Sequence, residues 1–238
     1  MSTEITVRGS FTAFHRPERG TAHVTIGFEG PDPQPVYERV VRELESVKTS
    51  VQALHDPGHG PVTWWSTQHV RTWANRPWNK DGVQLPLVHH ASVGVEVKFS
   101  DFAALSQWVG RHAKETPGFS LSRVAWALTE GRRKELERTV RTRAVQDAAR
   151  RAQEYADALG LGPVAPVAIA DAGMLGEGLD PSTGGGEYLR AGAAPPSGGG
   201  ELELLPEDIE VTTSVDARFV VDAVGAGSAA GSGGSTTG

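Results

Sequence analysis

The chain of 238 residues contains no cysteine. That absence excludes disulfides, thiolate zinc sites and a cysteine nucleophile together, and it leaves His, Asp and Glu to hold any metal. No run of about 18 apolar residues occurs, so no membrane-spanning helix is expected. The opening MSTEITVRGSF lacks a basic stretch followed by an apolar core, and the expectation is a cytoplasmic protein. Basic residues are the minority, 23 against 29 acidic, for a formal charge of -6. Phosphate backbones and anionic lipid surfaces therefore repel the molecule as a whole, and nucleic acid would need a local patch. There is no G-x-S-x-G elbow, and TGGGE at 183–187 lacks the spacing and the Lys-Ser/Thr ending of a phosphate cradle.

What is present is periodic. With 38% hydrophobic residues the chain can bury a core. Ile5, Val7, Phe11 and Ala13 alternate, as do Ala22, Val24, Ile26 and Phe28, and RPERG between them supplies a turn, which predicts an antiparallel hairpin. After GPDPQP the period lengthens. Tyr37, Val40, Val41, Leu44, Val47, Val51 and Leu54 recur at three and four, which predicts an amphipathic helix ending before DPGHGP. Residues 62–73, VTWWSTQHVRTW, read as a strand, NRPWNKDG as a turn, and Ala91 to Phe99 as a strand with every odd position apolar. A hairpin between these two strands is expected. Ser100 is placed to cap a helix with Phe102, Leu105, Trp108, Val109 and His112 on its inner stripe, and LSRVAWAL at 121–128 reads as a further strand.

Residues 130–159 place Leu136, Val140, Ala144, Ala148, Ala152, Tyr155, Ala156 and Leu159 at helical spacing, with Gly160 where a C-cap glycine belongs. Alanines would let this long helix lie close to a sheet. Its many arginines alternate with Glu130, Glu135, Glu137, Asp147, Glu154 and Asp157, the pattern of a solvated face rather than a nucleic-acid surface. VAPVAIAD at 164–171 and the alternating 209–221 predict two closing strands. Between them 172–208 reads as a Gly/Pro-rich loop, and 224–238 as a disordered tail beyond a single domain at 1–223. The element order predicts an α+β fold: a mostly antiparallel sheet with three helices packed on one face, a two-layer sandwich.

That order and several stretches resemble the SIMPL-domain family, which includes the bacterial YggE-type proteins. The resemblance rests on ITVRGS, a turn and AHVTIGFEG, on the Ser66–Thr67 pair leading a hairpin, and above all on AVQDAARRAQEYADALGLGPVAPV, over about residues 3–223. It implies a link to oxidative-stress tolerance and, in some members, large ring-like homo-oligomers. No catalytic residues are established for the family, so the resemblance transfers none.

Two groups of side chains are the candidate sites. Trp64, Trp65, Trp73 and Trp78 lie among Arg71 and Arg76. Successive strand residues point to opposite faces, so Trp64 and Trp65 cannot both enter one core, and one of them is left for a subunit interface, for a ligand or single-stranded nucleic acid stacked on it, or for simple packing under the adjacent loop. The second group is His55, His59 and His69 with Asp56, near His89 and His90. Imidazoles and a carboxylate suit zinc, but His55 and His59 are separated by proline and glycine, which removes the helical reason for an i, i+4 pair. No cofactor, no resident metal and no nucleic-acid partner are expected. The reading is a non-enzymatic, self-associating protein, against a small-molecule or metal-binding module, even a hydrolase, built on the histidines and the Trp-rich hairpin.

Overall fold

The computed structural model describes residues 2–78, 80, 84–175 and 204–222. The chain divides into two compact units, one formed by Met1–Ala13, Lys134–Tyr188 and Glu210–Gly238, the other by Phe14–Arg133 and Leu189–Ile209.

The larger unit is built on a five-stranded antiparallel sheet. Its strands are β2 (Arg19–Gly30), β3 (Val62–Thr67), β4 (Arg71–Asn75), β5 (Val88–Phe99) and β6 (Phe119–Ala127). The order is β3-β5-β2-β6, with β4 also paired to β5. Helices α1 (Pro33–Leu54) and α2 (Phe102–Glu115) cover one face. Alternation decides which side chains they cover. Ala22, Val24 and Ile26 of β2 lie beside Val97, Val95 and Val93 of β5, all buried, under Val40, Val47 and Val51 of α1 and Leu105, Trp108 and Val109 of α2. Each larger apolar side chain so buried contributes about 1.5–3 kcal/mol. The cap of α2 is Asp101, not Ser100: Asp101 Oδ1 accepts from Ala103 N and Ala104 N. The Ser100 hydroxyl is engaged elsewhere, donating to the Gly60 carbonyl at 3.0 Å.

The smaller unit holds a three-stranded sheet of order β1-β8-β7, from β1 (Ser2–His15), β7 (Ala165–Asp171) and β8 (Ile209–Asp222). Here α3 (Glu130–Ala158) lays Val140, Ala144, Ala148, Ala152 and Ala156 against Ile5, Val7, Val215, Ala217, Phe219 and Val221. The approach is close enough that a Cβ at Gly9 would fall onto the Ala144 carbonyl oxygen and the Ala148 backbone nitrogen. At the helix end Gly160 takes φ 69°, the left-handed conformation expected of it, and Leu161 N donates to Ala156 O at 2.8 Å. Tyr155 and Leu159 do not join the stripe; they are 53% and 66% exposed. The contact follows an i, i+4 row, which drifts by about 40° per step in a helix of about 100° per residue, so the buried line has rotated past them by the last turn.

The α+β class is as expected, with two differences in organisation. The strands divide between two sheets, α1 and α2 lying on one and α3 on the other. The expected β1–β2 hairpin is not a ladder: β1 pairs in the three-stranded sheet and β2 in the five-stranded one. Alternation assigns a face to each strand but names no neighbour. The strand expected at 62–73 is broken at 68–70 into β3 and β4, both antiparallel to β5, where Gln68 crosses Gly94 and donates its backbone N–H to the Gly94 carbonyl. Of the expected loop at 172–208, residues 176–203 lie outside the described residues, as does the tail at 224–238. Leu204 packs on the core of the five-stranded unit, its N–H 3.2 Å from Ser106 Oγ.

Candidate functional site

The face of the five-stranded sheet away from α1 and α2 is polar, with aromatic side chains along one margin. β3 and β4 share one side of β5, β3 beside its residues 95–99 and β4 beside 88–92. Trp65 lies opposite Val97 and packs partly buried on the core. Trp64, opposite Lys98, points to the other face; it is 43% exposed, with Lys98 Nζ 5.1 Å from its ring centroid. The two tryptophans therefore separate as their adjacency requires.

Trp73 lies opposite His90 on the same outer face, and their rings stack with centroids 5.1 Å apart and planes 6° apart. His90 Nε2 is 2.6 Å from Asn75 Oδ1, and its Nδ1 is 3.4 Å from Glu29 Oε2. Arg71, opposite Ser92, shares this face and is exposed. Trp64 does not belong to the same patch. Lys98 and His90 are eight residue steps apart along β5, roughly 26 Å at about 3.3 Å per step. Arg76 donates through Nη1 to the Leu85 carbonyl at 2.9 Å, closing the β4–β5 loop, and Trp78 in that loop is 85% exposed. The tryptophans that cluster in sequence are thus distributed over one core position, two separate outer positions and a loop.

The histidines fall differently. His55 ends α1 and forms an isolated parallel bridge with Val62. Asp56 Oδ1 accepts from Gly58 N at 2.9 Å and His59 N at 3.2 Å, so this carboxylate shapes the turn. His69 sits exposed between β3 and β4, and His89 and His90 point to opposite faces of β5. Among the described residues, no three or more His, Asp or Glu side chains come together as metal ligands would.

A polar chain runs between α1 and α2. The Ser50 hydroxyl donates to the Val47 carbonyl at 2.7 Å, and its oxygen accepts from Trp108 Nε1–H at 3.0 Å. With the hydroxyl proton committed, the oxygen also accepts from His112 Nε2–H at 2.7 Å, and His112 Nδ1 accepts from the Thr116 hydroxyl at 2.7 Å. Every member is then satisfied with His112 neutral. Burial holds the His112 pKa below its ordinary value, Arg111 adds to this, and Glu115 opposes it. A serine beside a histidine is the geometry of an activated nucleophile, but this serine oxygen is already bonded three ways under Trp108, and Phe119 lies on the imidazole. The chain joins α1 to α2, its donors and acceptors bonded to one another. Its signal in the sequence was one polar residue, His112, on the apolar stripe of α2; nothing marked Ser50 as its partner.

In the three-stranded unit, Arg8 grips Asp216 through Nε at 2.7 Å and Nη2 at 3.2 Å, and Gly173 N donates to the same carboxylate at 2.6 Å. The Arg8 contact holds the Asp216 carboxyl below its usual range, with Gly173 assisting. On α3, Arg150 pairs with Asp147, whose other oxygen accepts from Ser10 N, and Arg151 donates to the Arg8 carbonyl. Both α3 arginines are exposed, Arg150 bonded within its own helix and Arg151 to β1.

The fold defines an α+β protein with two helix-covered antiparallel sheets, with Trp64 and Trp73 exposed on the outer face of the five-stranded one. The chain belongs to the SIMPL family: the family model, described as a protein of unknown function (DUF541), matches residues 5–219. No curated protein matches the chain. No helix among the described residues is long and apolar enough to cross a membrane.

Proposed function

We propose that this SIMPL-domain chain is a non-enzymatic cytoplasmic protein that self-associates and serves a stress-related or scaffold role. One observation carries the reading. All five residues of β4 are exposed, Trp73 at 49%, on a strand whose side away from β5 has no paired strand among the described residues, and Trp78 follows it. Exposed tryptophan beside arginine is the composition of subunit interfaces. The stress connection rests on family membership. A nucleic-acid partner is not part of the reading, because the α3 arginines are interleaved with carboxylates, Arg150 pairs with Asp147 and Arg151 donates to the Arg8 carbonyl of β1. Light scattering at several concentrations tests it: the mass is expected to rise above that of one chain, and a monomer throughout overturns it.

The stacked Trp73 and His90, bordered by Asn75 and Glu29, favour a small-molecule site as the competing reading. Saturable quenching of tryptophan fluorescence by a small ligand, lost in Trp73→Phe, would establish that site instead. Metal analysis of untagged protein addresses the histidines, with no stoichiometric metal expected.

A further inference from the structure

We propose that two copies of this chain join through β4, antiparallel to each other about a two-fold axis at Trp73, so that their five-stranded sheets become continuous. The inference rests on the self-association reading above and specifies the surface and the register.

The first support is the state of the edge. β4 hydrogen-bonds to β5 on one side, and on its other side no named strand stands among the described residues. Its outward amides and carbonyls are obligatory hydrogen-bonding groups, and a strand that offers them in a row is a template for another strand. Thr72 and Ala74, on the face that α1 and α2 cover elsewhere, are exposed as well, so a partner strand would meet no helix there.

The second support is the contrast with other strands. β3, β6 and β7 each carry a register irregularity in their ladders, and β7 also contains Pro166, features that blunt an edge. β4 keeps an unbroken register from Arg71 to Asn75, has no proline and carries a single charge, at its first residue.

The third support is self-complementarity. Laid antiparallel on itself about Trp73, the segment RTWAN sets Arg71 opposite Asn75 of the second copy, Thr72 opposite Ala74 of the second copy, and the two Trp73 rings opposite each other. A guanidinium meets an amide oxygen, a small residue meets a small residue, and an aromatic meets an aromatic, the pairings that stabilise antiparallel ladders. A register centred on Arg71 would instead bring two guanidinium groups face to face.

The absence of cysteine makes the test clean. Directly opposed residues in an antiparallel pair have Cα atoms about 4.5–5.5 Å apart, within the span a disulfide accepts. Under mild oxidation Trp73→Cys is expected to convert mostly to a cross-linked dimer. Thr72→Cys and Ala74→Cys are each expected to stay uncross-linked alone but to cross-link when mixed. The mixed pair guards against loss of the Trp73 ring weakening assembly by itself, and circular dichroism confirms that each variant is folded. If the parent chain assembles in light scattering while neither Trp73→Cys nor the mixed pair cross-links, β4 pairing is wrong and self-association stands. A parent that stays monomeric removes both.

Discussion

The two sheets are covered in opposite ways. On the five-stranded sheet, α1 and α2 stand off on valine, leucine and tryptophan side chains, and the space between is filled by bulk, with one polar chain from Trp108 through Ser50 to His112 and Thr116 threaded into it. On the three-stranded sheet, α3 presents alanines and comes so near that β1 passes at a glycine. The first core gains its stability from the volume it encloses, the second from closeness of backbones, and the two should fail under opposite substitutions.

The largest effect is expected from deletion in the first core. Trp108→Ala should cost about 3–5 kcal/mol in urea unfolding, because a fully enclosed ring is lost and Ser50 loses a donor. Addition should damage the second core: Ala148→Leu forces α3 away from the sheet at a cost of about 1–3 kcal/mol. If Ala148→Leu proved neutral, the close-approach account of α3 would be lost.

Acid separates the same two regions more gently. The His112 pKa is depressed in the fold, so the unfolded chain binds the proton more readily, and stability falls as pH drops below about 6.5. His112→Gln should remove that slope from the unfolding midpoint between neutral pH and the folded pKa. Asp216 is also depressed, by Arg8 first and by the Gly173 N–H as well. Its contribution is present above the unfolded carboxylate value of about 3.9 and is lost as pH falls through the lower folded value, so Asp216→Asn should flatten only this more acidic portion. A single curve shared by both variants would show that neither region titrates as described. The smallest effect is reserved for the wet side of α3, where Arg143→Ala should leave the urea midpoint unmoved.

Much of this was legible residue by residue. The odd positions of 91–99 are the buried face of β5, His112 lies on the inner stripe of α2, Gly160 caps α3, and Trp64 and Trp65 part to opposite faces. These are consequences of periods of 2.0 and about 3.6, which depend only on the local chain. The missed features share a different character. The turn between β1 and β2 suggests a pair, and the eight residues between Trp64 and Trp73 suggest one patch, but neither holds in the fold. Ser100 looked like a cap until Gly60 claimed its hydroxyl.

Consecutive residues are enough for the α+β class, the solvated arginines of α3 and the SIMPL membership, because side-chain direction and apolar spacing are local properties of the chain. Only the folded arrangement sets β1 beside β8 and Ser50 against His112, and among the described residues it pairs β4 with β5 alone. Each of those is a choice among partners distant in the chain, settled by which pairing buries the most surface while satisfying the backbone, and no local pattern encodes it.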